Sequence, residues 1–142
     1  MTRILVIGGY GNFGQFISRQ LAREADIQVL IAGRDLTKAQ ALAADMAAIQ
    51  PAIPVQLDIN RNLAEVLNQY QPQVVIHTSG PFQTQGYEVA QACIQQGCHY
   101  IDLADARAFV SGIGQLDSAA REQQVLICSG ASSVPALSSA II

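Results

Sequence analysis

The apolar run RILVI, residues 3–7, is followed at once by GGYGNFG, in which Gly9, Gly11 and Gly14 stand in the spacing GxGxxG. Beyond them Phe13, Ile17 and Leu21 recur four apart, the repeat of one helix face. A strand, a glycine turn and a helix in that order constrain the fold more than any other feature of the chain. Gly9 allows a tight turn. Gly11, without a Cβ, lets an anionic group approach the backbone, and Gly14 lets the helix lie close to the sheet. The amides of the first helical turn have no intrahelical acceptor and face such an anion. The stretch therefore reads as a pyrophosphate cradle, with Tyr10, Asn12 and Phe13 as further contacts. The bland alternative is that the glycines serve only the turn and the packing. A P-loop is excluded, because no Gly-Lys-Ser/Thr follows.

The alternation of strand and helix continues along the chain. IQVLIA is the second strand. Asp35 or Thr37 caps the next helix, which turns Leu42 and Met46 inward. Pro51 and Pro54 precede a short third strand, VQLDI. Asn60 caps a helix carrying Leu63, Val66 and Leu67, and Pro72 stops it. VVIHTSG is the fourth strand. A helix from Gly86 to Gln96 follows, closed by Gly97. HYIDL is the fifth strand, Phe109, Ile113, Leu116 and Ala120 mark one more helix, and VLICSG is the sixth strand. Strands this continuously apolar belong in a parallel sheet covered on both faces. Right-handed crossovers then give an α/β fold, a Rossmann-type doubly wound sheet in three α/β/α layers, with expected strand order 3-2-1-4-5-6.

Composition narrows the function. The chain has 142 residues, half of them apolar, enough for one ordinary core. A net charge of −3 with scattered basic residues gives no footprint for nucleic acid. No signal peptide or membrane-length apolar run is read, so a cytoplasmic protein is expected. Cys93, Cys98 and Cys128 lack the spacing of a zinc site and read as reduced, mostly buried small hydrophobes, with no metal implied.

The carboxyl ends of the strands carry the remaining candidates. Gly33 stands where an enzyme selective for NAD commonly has an acid, and Arg34 follows, its planar guanidinium suited to a 2′-phosphate. NADP is therefore expected. Asp35 either caps the helix or reaches the ribose and permits NAD. Lys38 either assists Arg34 or stands by. Asp58 borders the adenine or caps. Ser79, Gly80 and Pro81 lie across the topological switch point from the first strand, with Thr78 and Gln83 as polar candidates. His77, Asp102 and Asp105 are weak candidates for proton chemistry. The bland readings are a packed histidine in a strand, and aspartates that cap or bind Arg107. CSGASSVP closes the same edge. It is a small-residue loop near the nicotinamide end of a bound dinucleotide.

GGYGNFG, AGR, SGPFQTQGYEVAQACIQQGCHYIDLAD and GASSVP together resemble the NADP-binding N-terminal domain of the saccharopine dehydrogenase-like family, over essentially the whole chain. The resemblance implies Gly9 through Gly14 on the pyrophosphate, Arg34 near the adenosine ribose or its phosphate, and Gly80, Pro81 and Phe82 along the cofactor. It also implies a second α/β domain after the SSVP loop, supplying much of the substrate site and often the subunit contact, and hence a homo-oligomer. Many relatives have Gly-Glu where this chain has Asp105-Ala106, which puts a substrate role for an acid there in doubt. The expected organisation is a dinucleotide domain over 1–133, with 134–142 opening a helix toward that second domain. VPALSSAII fits this, since Ser133 and Pro135 begin a helix whose apolar run has no closing cap. The implied activity is hydride transfer between the cofactor and a small polar, amino- or imino-acid-like substrate. A fragment of this length should bind cofactor without turnover. Two competitors remain. One is a non-catalytic dinucleotide sensor or scaffold. The other is a short-chain or epimerase-like reductase, for which no Tyr here has a Lys four residues later.

Overall fold

The computed structural model describes residues 1–80, 82 and 85–131. The expected helix over 134–142 and the SSVP loop lie outside the described residues. Among the described residues the elements run, in order, β1 Thr2–Ile7, α1 Asn12–Leu21, β2 Ile27–Gly33, α2 Leu36–Asp45, β3 Ile53–Gln56, α3 Leu63–Tyr70, β4 Val74–His77, α4 Glu88–Gln96, β5 His99–Asp102, α5 Arg107–Gly112, α6 Asp117–Glu122 and β6 Ile127–Cys128. A 3-10 turn, Ile113–Leu116, joins α5 to α6. The sheet has the order β3-β2-β1-β4-β5-β6, and every pair is parallel. This is the doubly wound order, with its switch point between β1 and β4.

Period-two alternation sorts the strand side chains into two cores. Leu5, Ile7, Leu30, Ala32, Val55 and Val75 face α3 and α4, where Leu63, Val66, Leu67, Val89 and Cys93 meet them. Ile4, Val6, Val29 and Ile31 face α1 and α2, against Ala22, Ala39, Leu42 and Met46. Both faces are covered, and the central strands are apolar on both. Cys93 and Cys98 are buried, and burial holds both thiols above the usual range. Cys128 departs from the expectation: it is exposed on the edge strand β6.

Local signals explain the element ends. Asp35 caps α2, its Oδ1 accepting the Lys38 amide at 3.2 Å. Gly97 closes α4 at φ +75°, and Cys98 N–H returns to the Cys93 carbonyl at 2.8 Å. Several boundaries differ from those expected: β4 ends at His77 rather than Gly80, and β6 keeps only Ile127–Cys128 of VLICSG. β3 begins before Pro54 rather than after it, which an edge strand tolerates. α3 begins at Leu63 behind Asn62, while Asn60 instead donates its amide to Asp58 Oδ1 at 2.9 Å. α4 begins at Glu88 rather than Gly86. The single helix expected over Phe109–Ala120 is divided into α5, the 3-10 turn and α6, in a stretch where Gly112 and Gly114 weaken helix propagation.

Phe13 is the clearest departure. It does not face the core but is 73% exposed. The buried residues of α1 are Gly14 and Ser18. A Cβ on Gly14 would overlap the Gly8 carbonyl oxygen, so only a residue without one brings the helix this close to β1. The buried Ser18 Oγ donates to the Gly9 carbonyl at 3.2 Å, beneath the loop. Gly14→Ala is expected to cost at least about 3 kcal/mol, the upper end for forced overpacking, since the clash is with backbone that cannot rotate away. Urea denaturation followed by circular dichroism checks this.

Candidate functional site

A cleft of about 960 Å³ opens at the carboxyl edge of the sheet across the switch point. It lies at the upper end of the roughly 300–1,000 Å³ of small-molecule sites. Its floor is the β1–α1 turn. Gly8 holds φ +77°, and the amides of Gly8 and Gly9 both reach the Ala32 carbonyl, at 2.8 and 3.1 Å. The turn is closed by Gly11 N–H to the Gly8 carbonyl at 3.0 Å, and Gly11 caps α1 without a side chain. Asn12, Phe13 and Gly14 then present first-turn amides that have no intrahelical acceptor. A Cβ on Gly11 would meet only the Gly8 oxygen, at 3.3 Å, so the space above Gly11 is open for a ligand. Gly8 stands one residue ahead of the GxGxxG spacing, and its pairing with Gly9 is the one sequence signal of its role.

The other walls come from three more strand ends. Gly33 and Arg34 line the cleft beyond β2. Among the described residues Arg34 makes no ion pair, whereas Arg19, Arg61 and Arg121 do. Asp35 Oδ1 accepts the Lys38 amide, the capping arrangement, and Asp35 is not among the residues that line the cleft. Lys38 does not line this cleft. It borders a smaller hollow between α1 and α2. Asp58 does line it, with its carboxylate bound to Asn60 N–H and its own amide bound to Asn62 Oδ1 at 2.8 Å, so it combines the bordering and the turn-forming roles.

Thr78, Ser79 and Gly80 form the wall after β4. Thr78 Oγ1 donates to the Ile7 carbonyl at 2.7 Å and lies 3.3 Å from that of Gly8, tying this wall to the glycine turn. Pro81 and Gln83 lie outside the described residues. Phe82 does not line the cleft. Its ring is buried against His77 and Phe109, with centroids 4.9 and 5.2 Å away. Gln85, Gly86, Glu88 and Val89 complete the wall, and no motif in the sequence marks them as site residues.

His77 is buried at the end of β4, with Nε2 2.9 Å from Gln85 Oε1. Gln85 Nε2 donates to the Ser79 carbonyl at 2.7 Å, and the Ser79 amide approaches His77 Nδ1 at 3.4 Å. These contacts fit one neutral tautomer, in which Nε2 donates and Nδ1 accepts. Burial pushes the imidazole below its ordinary pKa, against smaller upward effects of the Gln85 hydrogen bond and the Asp102 charge.

Asp102 is His77's register partner on β5 and is fully buried. Its carboxylate accepts Tyr100 Oη at 2.6 Å, Ala104 N–H at 3.0 Å, Gly130 N–H at 2.9 Å and Ser129 Oγ at 2.8 Å. Burial, and then the adjacent carboxylate, push the Tyr100 hydroxyl up, so it stays a donor. The Asp102 carbonyl also takes the Ala131 amide at 2.9 Å. Asp102 thus fastens residues 129–131 to the end of β5. Asp105 and Arg107 are exposed, and neither lines the cleft.

The saccharopine dehydrogenase NADP-binding domain family matches residues 4–128. The chain belongs to that family. No curated protein sequence matches the chain at a significant level. Among solved structures, apo saccharopine dehydrogenase (L-Glu forming) from Saccharomyces cerevisiae is similar, with TM-score 0.72 and 23% identity over 92% of this chain and 27% of that one. A short-chain dehydrogenase from Sphingobium yanoikuyae, solved with NADPH, gives TM-score 0.63 and 18% identity over 91% of this chain and 69% of that one. Biliverdin reductase from Synechocystis sp. PCC 6803, solved with biliverdin and NADP+, gives 0.61 and 19% over 90% and 37%. At these identities the likeness shows the fold. The chain spans about a quarter of the length of the yeast enzyme.

For this NADP-binding domain the cofactor class is the nicotinamide dinucleotide, NADP or NAD. The site fits it: open space above Gly11, first-turn amides beside it, and a cleft lined by both Arg34 and Gly80. Among the described residues no helix is long and apolar enough to cross a membrane.

The neutral His77 has a pH signature. Its folded pKa lies below the ordinary 6.5, so below pH 6.5 the unfolded chain binds the proton first. Its contribution to stability is present above pH 6.5 and is lost as pH falls through that value toward the folded pKa. His77→Gln should flatten the dependence of unfolding free energy on pH in that window, where one such group contributes up to about 1.4 kcal/mol per pH unit. Urea titrations at a series of pH values measure it.

Proposed function

We propose that this chain is the cofactor-binding part of an NADP-dependent oxidoreductase that moves hydride between the nicotinamide and a small polar substrate of the amino- or imino-acid type. The observation that carries the NADP half is Arg34, without an ion pair among the described residues, at the cleft beyond β2, beside an Asp35 already engaged in a cap. A guanidinium there meets a 2′-phosphate with charge-assisted hydrogen bonds, and no acid stands at position 33 to repel it. Family membership and the yeast relative's printed activity support the substrate half.

In this reading the first-turn amides of α1 hold the pyrophosphate, and Gly11 lets it come close. Arg34 fixes the adenosine end. Asp58 borders the adenine pocket. Thr78, Ser79 and Gly80 set the wall along which the nicotinamide half lies. The bound nicotinamide supplies the hydride chemistry. His77 and Asp102 orient loops rather than transfer protons: one is held neutral between Gln85 and Ser79, and the other is filled by four donors. Proton transfer and substrate recognition are assigned to a second domain following residue 133. The 142-residue chain is then expected to bind cofactor and catalyse nothing.

Calorimetric titration with NADP and with NAD tests the cofactor choice. The expected result is a preference of about tenfold or more for NADP, equivalent to about 1.4 kcal/mol, within what one hydrogen bond to a charged group supplies. Arg34→Ala should erase it. Equal affinities in the wild type would overturn the NADP reading, and a preference for NADP that survives the substitution would take the 2′-phosphate contact away from Arg34.

Gly11→Ala should weaken both cofactors by roughly tenfold, about 1.4 kcal/mol, with the fold kept. Gly11 has φ −73°, which any residue adopts, and its new Cβ would crowd only one protein atom. Unchanged affinity in the folded variant would move the pyrophosphate site elsewhere.

A further inference from the structure

The Tyr10 side chain joins the glycine turn to the end of β2. Its ring lies directly on Gly33: a Cβ built there would stand 2.6 Å from Tyr10 Cζ and 2.5 Å from Oη. Its hydroxyl accepts the Asp35 amide at 2.9 Å. One side chain therefore pins residues 33 and 35, and Arg34 is the residue between the two pins. Tyr10 is half-buried among the residues of the α1–α2 core. It is also a shared wall, lining both the large cleft and a hollow of about 460 Å³ between α1 and α2 that is bordered by Arg19 and Lys38.

We propose that Tyr10 is a positioning residue that sets the preference between NADP and NAD through its fit onto Gly33 and its hydrogen bond from Asp35. The inference rests on the reading of Arg34 as the 2′-phosphate contact. It acts in two ways. While the ring lies on Gly33, a side chain at position 33 would have to displace it, so the acid that would grip the ribose hydroxyls and repel a 2′-phosphate is disfavoured there. The hydrogen bond to Asp35 fixes the backbone from which Arg34 reaches the cleft, so less order has to be acquired when a phosphate is bound. NAD lacks the phosphate and does not draw on that second effect.

The test titrates NADP and NAD calorimetrically into the wild type, Tyr10→Phe and Arg34→Ala, with circular dichroism to confirm folding. Tyr10→Phe keeps the ring on Gly33 and removes only the acceptor for Asp35. It should weaken NADP by about three- to tenfold, the range of one ordinary hydrogen bond, and NAD by less than about twofold. A purely structural role would move both cofactors together. A wild-type preference that Arg34→Ala abolishes and Tyr10→Phe leaves intact overturns the assignment of Tyr10 alone. Equal affinities in the wild type overturn the Arg34 reading and this inference with it.

The steric half has its own measurement. Gly33→Ala should be destabilised in urea by the cost of displacing the Tyr10 ring, and the same substitution should cost less in a Tyr10→Ala background, the signature of a directly coupled pair. A Gly33→Ala protein as stable as the wild type, with unchanged cofactor preference, would show that the ring does not close position 33.

Discussion

The cleft depends on how near α1 comes to the end of β1. Gly14 sits against the Gly8 carbonyl at a separation that leaves no room for a Cβ. That approach places the first-turn amides directly over the carboxyl edge of the sheet, where they can meet an anion. The neighbours of the contact reinforce it. Ser18 reaches up from the helix to the Gly9 carbonyl, Thr78 reaches across from β4 to Ile7 and Gly8, and the Ala32 carbonyl takes two amides from the turn. Contacts from three sides thus grip the backbone of Ile7, Gly8 and Gly9. A binding turn held this way is preorganised, so little ordering entropy is lost when a ligand arrives.

The far side of the switch point achieves rigidity differently, with buried polar groups. His77 and Asp102 stand on neighbouring strands in register and face the same side of the sheet. Each is enclosed and each is satisfied, one by Gln85 and Ser79, the other by donors from β5 and from the loop beyond β6. No buried side-chain nitrogen or oxygen among the described residues lacks a partner. A fully satisfied network costs little and defines geometry sharply, whereas removing one member would strand the others.

Much of this was legible in the sequence because it is local. The alternation of apolar runs and helical repeats, with right-handed crossovers, leaves few topologies other than the observed order. Asp35 and Gly97 act on amides and carbonyls within a few residues of themselves, so their caps can be read from a short window. The misreadings have a common cause in long-range fit. The four-residue repeat of α1 gathers Phe13 with Ile17 and Leu21, but the close approach at Gly14 rotates small residues toward the sheet and leaves Phe13 outside. Tyr10 meets Gly33 and Asp35, more than twenty residues away, and Gln85 meets His77 only after the loop following β4 has folded back. No periodicity encodes such pairs. They follow from the shape of the surfaces that the strands bring together.

The position of Pro54 bears on how the sheet meets other chains. Leu57 sends its amide inward to Gly33, so by alternation Val55 and Ile53 also face β2, while Pro54 and Gln56 face outward. Proline has no N–H, so the outer side of this four-residue edge offers Gln56 as its single amide donor. An extended segment from another molecule would find almost nothing there to zip onto. The strand register that builds the cofactor cleft at one end therefore also blunts the sheet against growth by strand addition along that side.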